Sequence, residues 1–457
     1  MSDAAEILDA GHHCVVANPP YIVPPDKTLR DAYRNRYASA VQKYGLGVPF
    51  TERLWQLVRT DGFVAEITSN AFMKREHGKA LVETVLPHLD LRTVIDTNGA
   101  CIPGHGTPTV ILAGTGGAPT SGPIRVVMSK RGEPSTPKDG DPGRVWASIE
   151  QALGLPVTAA RAYGLDGLRL AEELAKTLRA LAKEGAPRLG EWVAAYALLL
   201  AFEARGYLAR RDEPLADAAE RLEDLADVDG DAWLSGLSKS PLSAEHEAAL
   251  RGAFARVGPP YAAPVAFGPQ RAGWATHDTD WLGDLYQGAN DVIVKRDALC
   301  QTPWFVRDLL FLLALSPALR AHGAATTVLD PACGTGHLLV GAFRVLLAWH
   351  MRDDEYTVYS AANRALAAVH GVELTPSTAA LARYRLALAW LDATGAGIAR
   401  AAPGEDALAR VSGMPRPVVA VGDALLEGRV RPSPPVSATP VPIARIRGQM
   451  QLFAEAS

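Results

Sequence analysis

The chain has 457 residues, of which 48% are hydrophobic and 21% charged, and its formal net charge is −4. This length predicts two or three domains of about 100–200 residues each, and the ordinary composition excludes a fibrous or wholly disordered chain. The slightly acidic total excludes nucleic-acid binding by bulk charge, so any such contact must use local basic patches.

The sequence pattern carries no targeting or membrane signal. The N-terminal segment MSDAAEILDAGHHC has neither a basic nor an apolar stretch, so no signal peptide is predicted. The longest apolar runs, Trp192–Phe202 and Leu309–Leu315, are far shorter than the ~20 residues of a membrane span. The cysteines are scattered without a CxxC pair: Cys14, Cys101, Cys300 and Cys333. This usage predicts a reducing cytoplasm, with no metal site and no membrane contact.

Residues 12–115 alternate between apolar strands and amphipathic helices. Strands are predicted before Pro19 and over Gly62–Ile67, Arg92–Asp96 and Thr109–Ala113, and helices over Phe50–Arg59 and Lys79–Leu86. Such alternation is typical of an α/β layer with a mostly parallel sheet. A second α/β block is expected over residues 265–428.

The segment between the two α/β blocks has a different composition. Residues 116–144 are rich in glycine and proline, which predicts a connector with one strand at Ile124–Met128. Residues 145–264 are rich in alanine, leucine and glutamate, which predicts a helical module. Asp212–Asp231 holds nine acids against one arginine, so we expect a solvated face away from DNA. Residues 429–457 form a tail rich in proline and arginine.

The string DPACGTG at Asp330–Gly336 follows a short strand and precedes an apolar helix. Gly334 and Gly336 allow a tight turn and a close approach of a ligand to the backbone. Leu339 occupies the place of the third glycine of a dinucleotide fingerprint, so that fingerprint is excluded. Asp330 would repel a pyrophosphate but suits a cationic ligand, such as the amino acid end of S-adenosylmethionine.

Two further acids stand at the tips of the following strands. Glu373 ends the strand in AAVHGVEL, a position that commonly holds ribose hydroxyls. Asp423 follows the strand in VVAVGDALL, where it can accept a hydrogen bond from an adenine amino group. With Asp330, these residues form a series of acids at successive strand ends.

The string NPPY, at Asn18, Pro19, Pro20 and Tyr21, directly follows the first strand. The prolines fix φ and remove backbone donors, so the turn is rigid. The Asn18 side-chain oxygen and the Pro19 carbonyl can both accept from one exocyclic amino group, which orients its nitrogen towards an electrophile. Tyr21 offers a face on which a planar base can stack.

Together these strings resemble the amino-methylating DNA methyltransferases of the adenine-N6 type. NPPY matches their target-base motif, and DPACGTG, Glu373 and Asp423 match their S-adenosylmethionine motifs. QTPWFVRDLL, at Gln301–Leu310, resembles the segment that helps to hold the methionine moiety. ITSNAFMK and HGTPTVIL resemble later motifs of the catalytic half. The sequence around these motifs is similar to that of methyltransferases of phage-growth-limitation (Pgl/BREX) and type II-like restriction–modification systems.

The resemblance implies a Rossmann-like, S-adenosylmethionine-dependent methyltransferase sheet with an inserted α-helical module. The sheet is circularly permuted, because in those relatives the cofactor half precedes NPPY, whereas here residues 1–115 form the target-base half and residues 265–428 the cofactor half. The implied substrate is a flipped-out adenine in double-stranded DNA, and other subunits of a defence system are further implied partners. The implied cofactor-binding residues are Thr302, Phe305, Asp330, Ala332, Gly334, Gly336, Glu373 and Asp423.

Three alternatives remain open at this stage. Cytosine-N4 methylation uses the same acceptors, and protein glutamine methyltransferases also carry NPPY. A catalytically weak DNA-binding or assembly subunit would fit the permuted order and the lack of an evident recognition domain. The phosphate contacts that any DNA-binding function requires are expected from local basic residues: Lys74, Arg75, Lys130, Arg131, Lys138, Arg429, Arg431, Arg445 and Arg447.

Overall fold

The computed structural model describes residues 3–24, 26–97, 107–128, 143–155, 166–228, 232–257, 279–290, 299–352 and 355–430. The strands are β1 (His12–Ala17), β2 (Val58–Ser69), β3 (Asp90–Asp96), β4 (Thr109–Thr115), β5 (Arg125–Met128), β6 (Val328–Asp330), β7 (Val369–Glu373) and β8 (Val418–Val421).

The α-helices before β6 are α1 (Ala4–Asp9), α2 (Lys27–Arg34), α3 (Gly47–Leu57), α4 (Gly143–Leu153), α5 (Asp166–Lys183), α6 (Leu189–Ala204), α7 (Leu215–Ala226), α8 (Trp233–Ser238), α9 (Ala244–Val257), α10 (Asp280–Ala289), α11 (Trp304–Leu310) and α12 (Ser316–His322). Those after β6 are α13 (His337–His350), α14 (Val358–Ala367) and α15 (Pro376–Thr394).

Within the described residues, eight strands form one sheet in the order β5-β3-β4-β2-β1-β6-β7-β8. β4 is antiparallel to both of its neighbours, and every other pairing is parallel. All strands except β4 therefore run in one direction and end at the same edge of the sheet. This arrangement confirms the α/β class and the mostly parallel sheet predicted from the alternating pattern.

The pairing of β1 with β6 joins the two halves of the chain. Cys14 and Val15 pair in register with Val328 and Leu329, and the Cys14 N–H donates to the Thr327 carbonyl at 2.9 Å. More than 300 residues separate these strands in the sequence. The predicted permuted order therefore yields one continuous sheet, with NPPY and the DPACGTG turn after neighbouring strands.

Alternate residues of β1 face opposite sides of the sheet, as the strand geometry requires. Cys14 and Val16 belong to the hydrophobic core that includes the helices α4–α9, whereas Val15 and Ala17 belong to a second core that includes α3. Both faces of the sheet are thus covered, which is the usual environment of parallel strands.

Asp406 attaches the helices of residues 189–257 to the segment that follows α15. Its carboxylate accepts from the Ala209 N–H at 2.8 Å and from Arg211 at 2.6 Å, and it also pairs with Arg221. Glu213 likewise pairs with Arg221. Several acids of the predicted solvated face thus bond within the fold; Glu223, for example, accepts from the Ser235 N–H at 2.7 Å.

Two predicted helices differ from the structure. The helix predicted over Phe50–Arg59 is α3, which begins three residues earlier and ends at Leu57, because the next residue already enters β2. The predicted helix Lys79–Leu86 is helical over its whole length, but it is π-type at Leu81–Val85 and continues as a 3-10 turn to His88. Gly78 packs directly on the Phe72 backbone there, and Pro87 lies in the following turn.

Glu66 is a carboxyl buried in the centre of the sheet. It pairs in register with Ala17 of β1 and Leu112 of β4 and has no exposed surface. Burial raises its pKa from 4.5 to about 8, against a smaller opposing effect of the Thr51 hydroxyl. The folded protein therefore holds Glu66 mainly as a neutral acid at neutral pH.

Replacing Glu66 by glutamine should make stability less dependent on pH. The folded pKa of Glu66 lies above its unfolded value, so the residue costs nothing well below pH 4.5 and destabilises the fold increasingly as the pH rises towards 8. Once fully developed, this cost is on the order of 5 kcal/mol. We expect the gain in unfolding free energy of Glu66→Gln over the wild type, measured by urea denaturation, to grow over this pH range.

The matched control is Glu83→Gln, because Glu83 is an exposed glutamate in the Leu81–Val85 turn. This substitution removes a carboxyl group from the surface rather than from the interior of the sheet, so a gain specific to Glu66→Gln assigns the effect to burial. If the unfolding free energies of Glu66→Gln and the wild type changed with pH in parallel, Glu66 could not be a neutral acid in the folded protein.

Candidate active site

A cleft opens at the carboxyl ends of β1, β6, β7 and β8, where ligands bind in open α/β sheets. Its empty volume is about 860 Å³, including the part that is open to solvent. Most of the residues predicted from the sequence line this one cleft: Asn18, Pro20, Thr302, Asp330, Ala332, Gly334, Glu373 and Asp423. The strand order thus brings the NPPY turn together with the DPACGTG turn, Glu373 and Asp423.

Four predicted site residues do not line the cleft. Phe305 packs into the core, with its ring 4.8 Å from Trp146 and 5.8 Å from Trp304 between centroids. Gly336 precedes α13 with a φ of 87°, and a Cβ at that position would stand 3.1 Å from Ala382, so this glycine serves the turn and helix packing. The remaining two, Pro19 and Tyr21, lie in the turn beside the cleft.

Asn18 is held at both ends of its side-chain amide. Its Oδ1 accepts from the Tyr21 hydroxyl at 2.6 Å, and its Nδ2 donates to Thr302 Oγ1 at 3.2 Å and to the Cys300 carbonyl at 3.4 Å. The Tyr21 hydroxyl also lies 3.2 Å from the Ile67 carbonyl. Burial raises the pKa of Tyr21 well above its usual value, so its hydroxyl remains a neutral donor.

Asp330 and Glu373 place two carboxyl groups at one end of the cleft. Asp330 is buried and accepts from the Ala332 N–H at 3.1 Å; burial raises its pKa to about 8, with a further upward effect from Glu373. Glu373 accepts from the Gly334 N–H and from the Thr375 N–H, each at 3.0 Å. The DPACGTG turn is therefore tied to the tip of β7, and the paired acids favour a cationic ligand.

Asp423 lies beyond the end of β8 and is held by two donors. Tyr33 donates to Oδ2 at 2.7 Å and the Leu425 N–H to Oδ1 at 2.9 Å. Each carboxylate oxygen has two lone pairs, so both keep acceptor capacity for a ligand. Burial and the neighbouring Asp423 raise the pKa of Tyr33, which stays protonated and donates.

Tyr33 and Leu374 are site residues that the sequence reasoning missed. Tyr33 lines the cleft from α2, where an apolar-looking residue in a short amphipathic helix resembles an ordinary core position. Leu374 follows Glu373, lines the cleft and is 56% exposed, which is unusual for a leucine. Its position directly after a strand-tip acid is the one sequence signal that could have identified it.

The predicted basic residues are only partly placed. Lys74 and Arg75 are exposed shortly after β2, and Arg429 lies 3.4 Å from Asp9. The others lie outside the described residues: Lys130, Arg131, Lys138, Arg431, Arg445 and Arg447. Cys101, the first two residues of HGTPTVIL and nearly all of the tail at residues 429–457 are also outside them.

The described ranges contain neither a metal-ligating cluster nor a membrane-spanning helix. Among those residues, no group of three or more His, Cys, Asp or Glu side chains is arranged to hold a metal ion. No helix in the same ranges has the length and apolar character needed to cross a bilayer.

Two family models match the chain, one on each side of the helical segment. Residues 3–102 match a family described as Eco57I restriction-modification methylase, and residues 279–405 match one described as N-6 DNA Methylase. The second match implies an S-adenosylmethionine-dependent methyltransferase fold, which confirms the predicted fold class of the mixed eight-stranded sheet.

Two curated proteins and one solved structure are similar to parts of the chain. Adenine-specific methyltransferase PglX of Streptomyces coelicolor is 43% identical over 179 residues, which are 37% of this chain and 15% of that protein. Type II methyltransferase M.BstVI of Geobacillus stearothermophilus is 31% identical over 85 residues, which are 18% of this chain and 15% of that protein.

The solved structure is a nuclease-deletion mutant of the Type ISP restriction-modification enzyme LlaGI in complex with a DNA substrate mimic. It is 12% identical with a TM-score of 0.19, over 68% of this chain and 25% of that chain, and a likeness at that level supports no conclusion. The chain thus matches only a small part of the length of its curated relatives. The two family matches and the two curated relatives show that residues on both sides of the helical segment are similar to adenine-methylating DNA methyltransferases of restriction–modification and Pgl systems.

Proposed function

We propose that the chain catalyses S-adenosylmethionine-dependent methylation of the adenine N6 amino group at specific sites in double-stranded DNA, in phage defence or restriction–modification. The observation that supports this most is the single cleft shared by Asn18, Asp330, Glu373 and Asp423. In this proposal residues 1–115 form the target-base half, residues 116–144 a connector, residues 145–264 an inserted helical module and residues 265–428 the cofactor half. A cytoplasmic location belongs to the same proposal.

The residues of the cleft fit S-adenosylmethionine. This molecule supplies an electrophilic methyl group on a sulfonium centre and carries an ammonium group. Asp330 and Glu373 form an acidic end; burial raises the pKa of Asp330, and a bound cation would relieve the cost of ionising it. In this proposal Asp330 faces the amino acid end, Glu373 accepts from ribose hydroxyls, Asp423 accepts from the adenine amino group, and Leu374 offers an apolar contact.

The NPPY turn is suited to binding an amino group. Asn18 Oδ1 and the Pro19 carbonyl would accept both hydrogens of the target amine, which directs its lone pair towards the methyl donor. In the free protein the Tyr21 hydroxyl occupies Asn18 Oδ1, so the target replaces one donor by another. The Ile67 carbonyl remains as an acceptor for that hydroxyl, and Tyr21 is then available to stack on the base. Catalysis in this scheme depends on positioning.

A base that is stacked and paired in a duplex cannot enter the cleft, so the target adenine must leave the helix. Because the net charge of the chain is −4, phosphate contacts depend on local cations such as Lys74 and Arg75. Tritium transfer from labelled S-adenosylmethionine to DNA, followed by nucleoside analysis, tests the proposal. Methylcytosine, labelled protein or no transfer would instead indicate the cytosine-N4, glutamine or non-enzymatic alternative.

Replacing Asn18 by alanine should reduce methyl transfer by at least about 100-fold, because the target amine loses an acceptor that orients it in the transition state. Cofactor affinity, measured by calorimetry, should change little, because Asn18 is on the target side of the cleft. Asn35→Ala, at an exposed position after α2, is the matched control and should retain activity. Methyl transfer at the wild-type rate in Asn18→Ala would overturn the proposed role of Asn18 in binding the target amine.

Two substitutions at Tyr21 should have opposite effects on DNA affinity. Tyr21→Phe keeps the ring but removes the hydroxyl that competes for Asn18 Oδ1, so binding of target DNA should tighten by about threefold to tenfold, the value of one hydrogen bond. Tyr21→Ala also removes the stacking ring, which is worth about 1–3 kcal/mol per base, so binding should weaken. Fluorescence anisotropy with target DNA measures both. Equal weakening in the two variants would show that the hydroxyl is required.

Cofactor binding should release a proton near neutral pH. The free protein holds Asp330 largely protonated at pH 7, because its pKa is raised to about 8, and a bound ammonium lowers that pKa. Affinity for S-adenosylmethionine should therefore increase as the pH rises towards 8. Calorimetry in buffers with different ionisation enthalpies measures the release, which Asp330→Asn should abolish. A proton release that is unchanged in Asp330→Asn would assign the proton to another group.

A further inference from the structure

A buried ion pair lies directly behind the DPACGTG turn. Arg385 of α15 donates through Nη2 to Asp280 Oδ1 of α10 at 2.7 Å, and its side chain has no exposed surface. The other oxygen of Asp280 accepts from Arg307 at 3.1 Å. Asp280 is 10% exposed at its side chain, so one carboxylate bonds two guanidinium groups in the interior, and Arg307 also pairs with Asp308 at 3.3 Å.

The second arm of the same guanidinium contacts the turn itself. Arg385 Nη1 donates to the Thr335 carbonyl at 2.6 Å and to Thr335 Oγ1 at 3.0 Å, and it lies 3.1 Å from His337 Nδ1. Burial and the neighbouring arginine lower the pKa of His337 to about 3, so its ring is neutral and accepts at Nδ1. Three acceptors of one turn thus converge on one planar donor group.

Thr335 connects Arg385 to the side of the cleft where Asn18 lies. Its hydroxyl donates to Gln301 Oε1 at 2.9 Å, and the Gln301 N–H donates to Gln287 of α10 at 2.7 Å. The next residue is Thr302, whose hydroxyl accepts from Asn18 Nδ2 at 3.2 Å. Two hydrogen bonds from Arg385 to Gln301, the peptide link from Gln301 to Thr302 and one further hydrogen bond therefore connect Arg385 to Asn18.

The arrangement is costly as a source of stability. Moving charges into the interior carries a desolvation cost that hydrophobic residues of similar volume would avoid. A guanidinium, however, presents donors in a rigid plane, which fixes the direction of a carbonyl in a way that apolar packing cannot. Arg385 and Asp280 do not line the cleft, so any effect on a ligand must act through Thr335 and His337.

We propose that Arg385, oriented by Asp280, is a positioning residue that fixes the DPACGTG turn for cofactor binding and links that turn, through Thr335 and Gln301, to Asn18. The inference rests on the proposed S-adenosylmethionine site. Its direct consequence is a turn that is ordered before any ligand binds.

The test is Arg385→Lys in the full chain. Lysine keeps the charge opposite Asp280 but has no planar fork to hold the Thr335 carbonyl and hydroxyl together. Without ligand, hydrogen–deuterium exchange in a peptide spanning residues 331–337 should accelerate by about tenfold. The Kd for S-adenosylmethionine, measured by calorimetry, should rise by about tenfold, which corresponds to about 1.4 kcal/mol.

Asp392→Asn is the matched control for general destabilisation. Asp392 lies on the same helix, α15, and forms a similarly buried ion pair with Arg205 at 3.0 Å, with side-chain exposures of 10% and 11%. This variant should lower the melting temperature but leave the exchange of residues 331–337 and the cofactor Kd unchanged.

Thr335→Val keeps the test decisive if Arg385→Lys does not fold. It retains the side-chain shape and the backbone carbonyl but removes the hydroxyl that bonds Gln301 and Arg385. We expect a smaller loss of cofactor affinity, about threefold, with a greater fall in kcat than in affinity because the link towards Asn18 is cut.

The outcomes separate this inference from the proposed function. Arg385→Lys with wild-type exchange and wild-type Kd would overturn the positioning role while leaving the cofactor site in place. An equal effect of Asp392→Asn on the Kd would also overturn it. Wild-type protein that binds no S-adenosylmethionine would overturn the proposed function and this inference together.

Discussion

The parallel pairing of β1 with β6 is the contact on which the cleft depends. Cys14 and Val328 lie side by side although they are more than 300 residues apart, and Asn18, Asp330, Glu373 and Asp423 lie at or just beyond the ends of β1, β6, β7 and β8. Parallel strands end at one edge, so joining these two also joins the turns that follow them. The chain order of the two halves then matters little, because the sheet restores the spatial order of NPPY and DPACGTG.

The cleft concentrates carboxyl groups in a partly buried environment. Asp330, Glu373 and Asp423 stand at neighbouring strand tips, and burial raises the pKa of Asp330 to about 8. This local acidity supports a cationic small ligand and is unrelated to the affinity of the outer surface for phosphates. The net charge of −4 therefore says little about DNA. It combines acids that serve the cleft or bond within the helices with exposed cations elsewhere.

Local patterns predicted the residues that touch the cleft better than those that support it. Asn18, Asp330, Glu373 and Asp423 were recognisable because strand-end polar residues follow short apolar runs. The sequence could not show whether Phe305 contacts a ligand or packs in the core, because helical spacing does not tell which face of the helix meets the core. Arg385 lies in an alanine- and leucine-rich helix whose partner, Asp280, is about a hundred residues away, so its role requires tertiary structure.

The bonded state of Asn18 also bears on which base the turn selects. Its oxygen is already satisfied by Tyr21, so binding exchanges one hydrogen bond for another and gains little net energy. Selection must then come from the penalty for a wrong group. In the proposed function, a keto oxygen would leave the Pro19 carbonyl unpaired, at about 1–3 kcal/mol, and would repel Asn18 Oδ1. Such a turn would discriminate amino from keto groups, and the choice between adenine and cytosine would depend on ring size and stacking in the rest of the cleft.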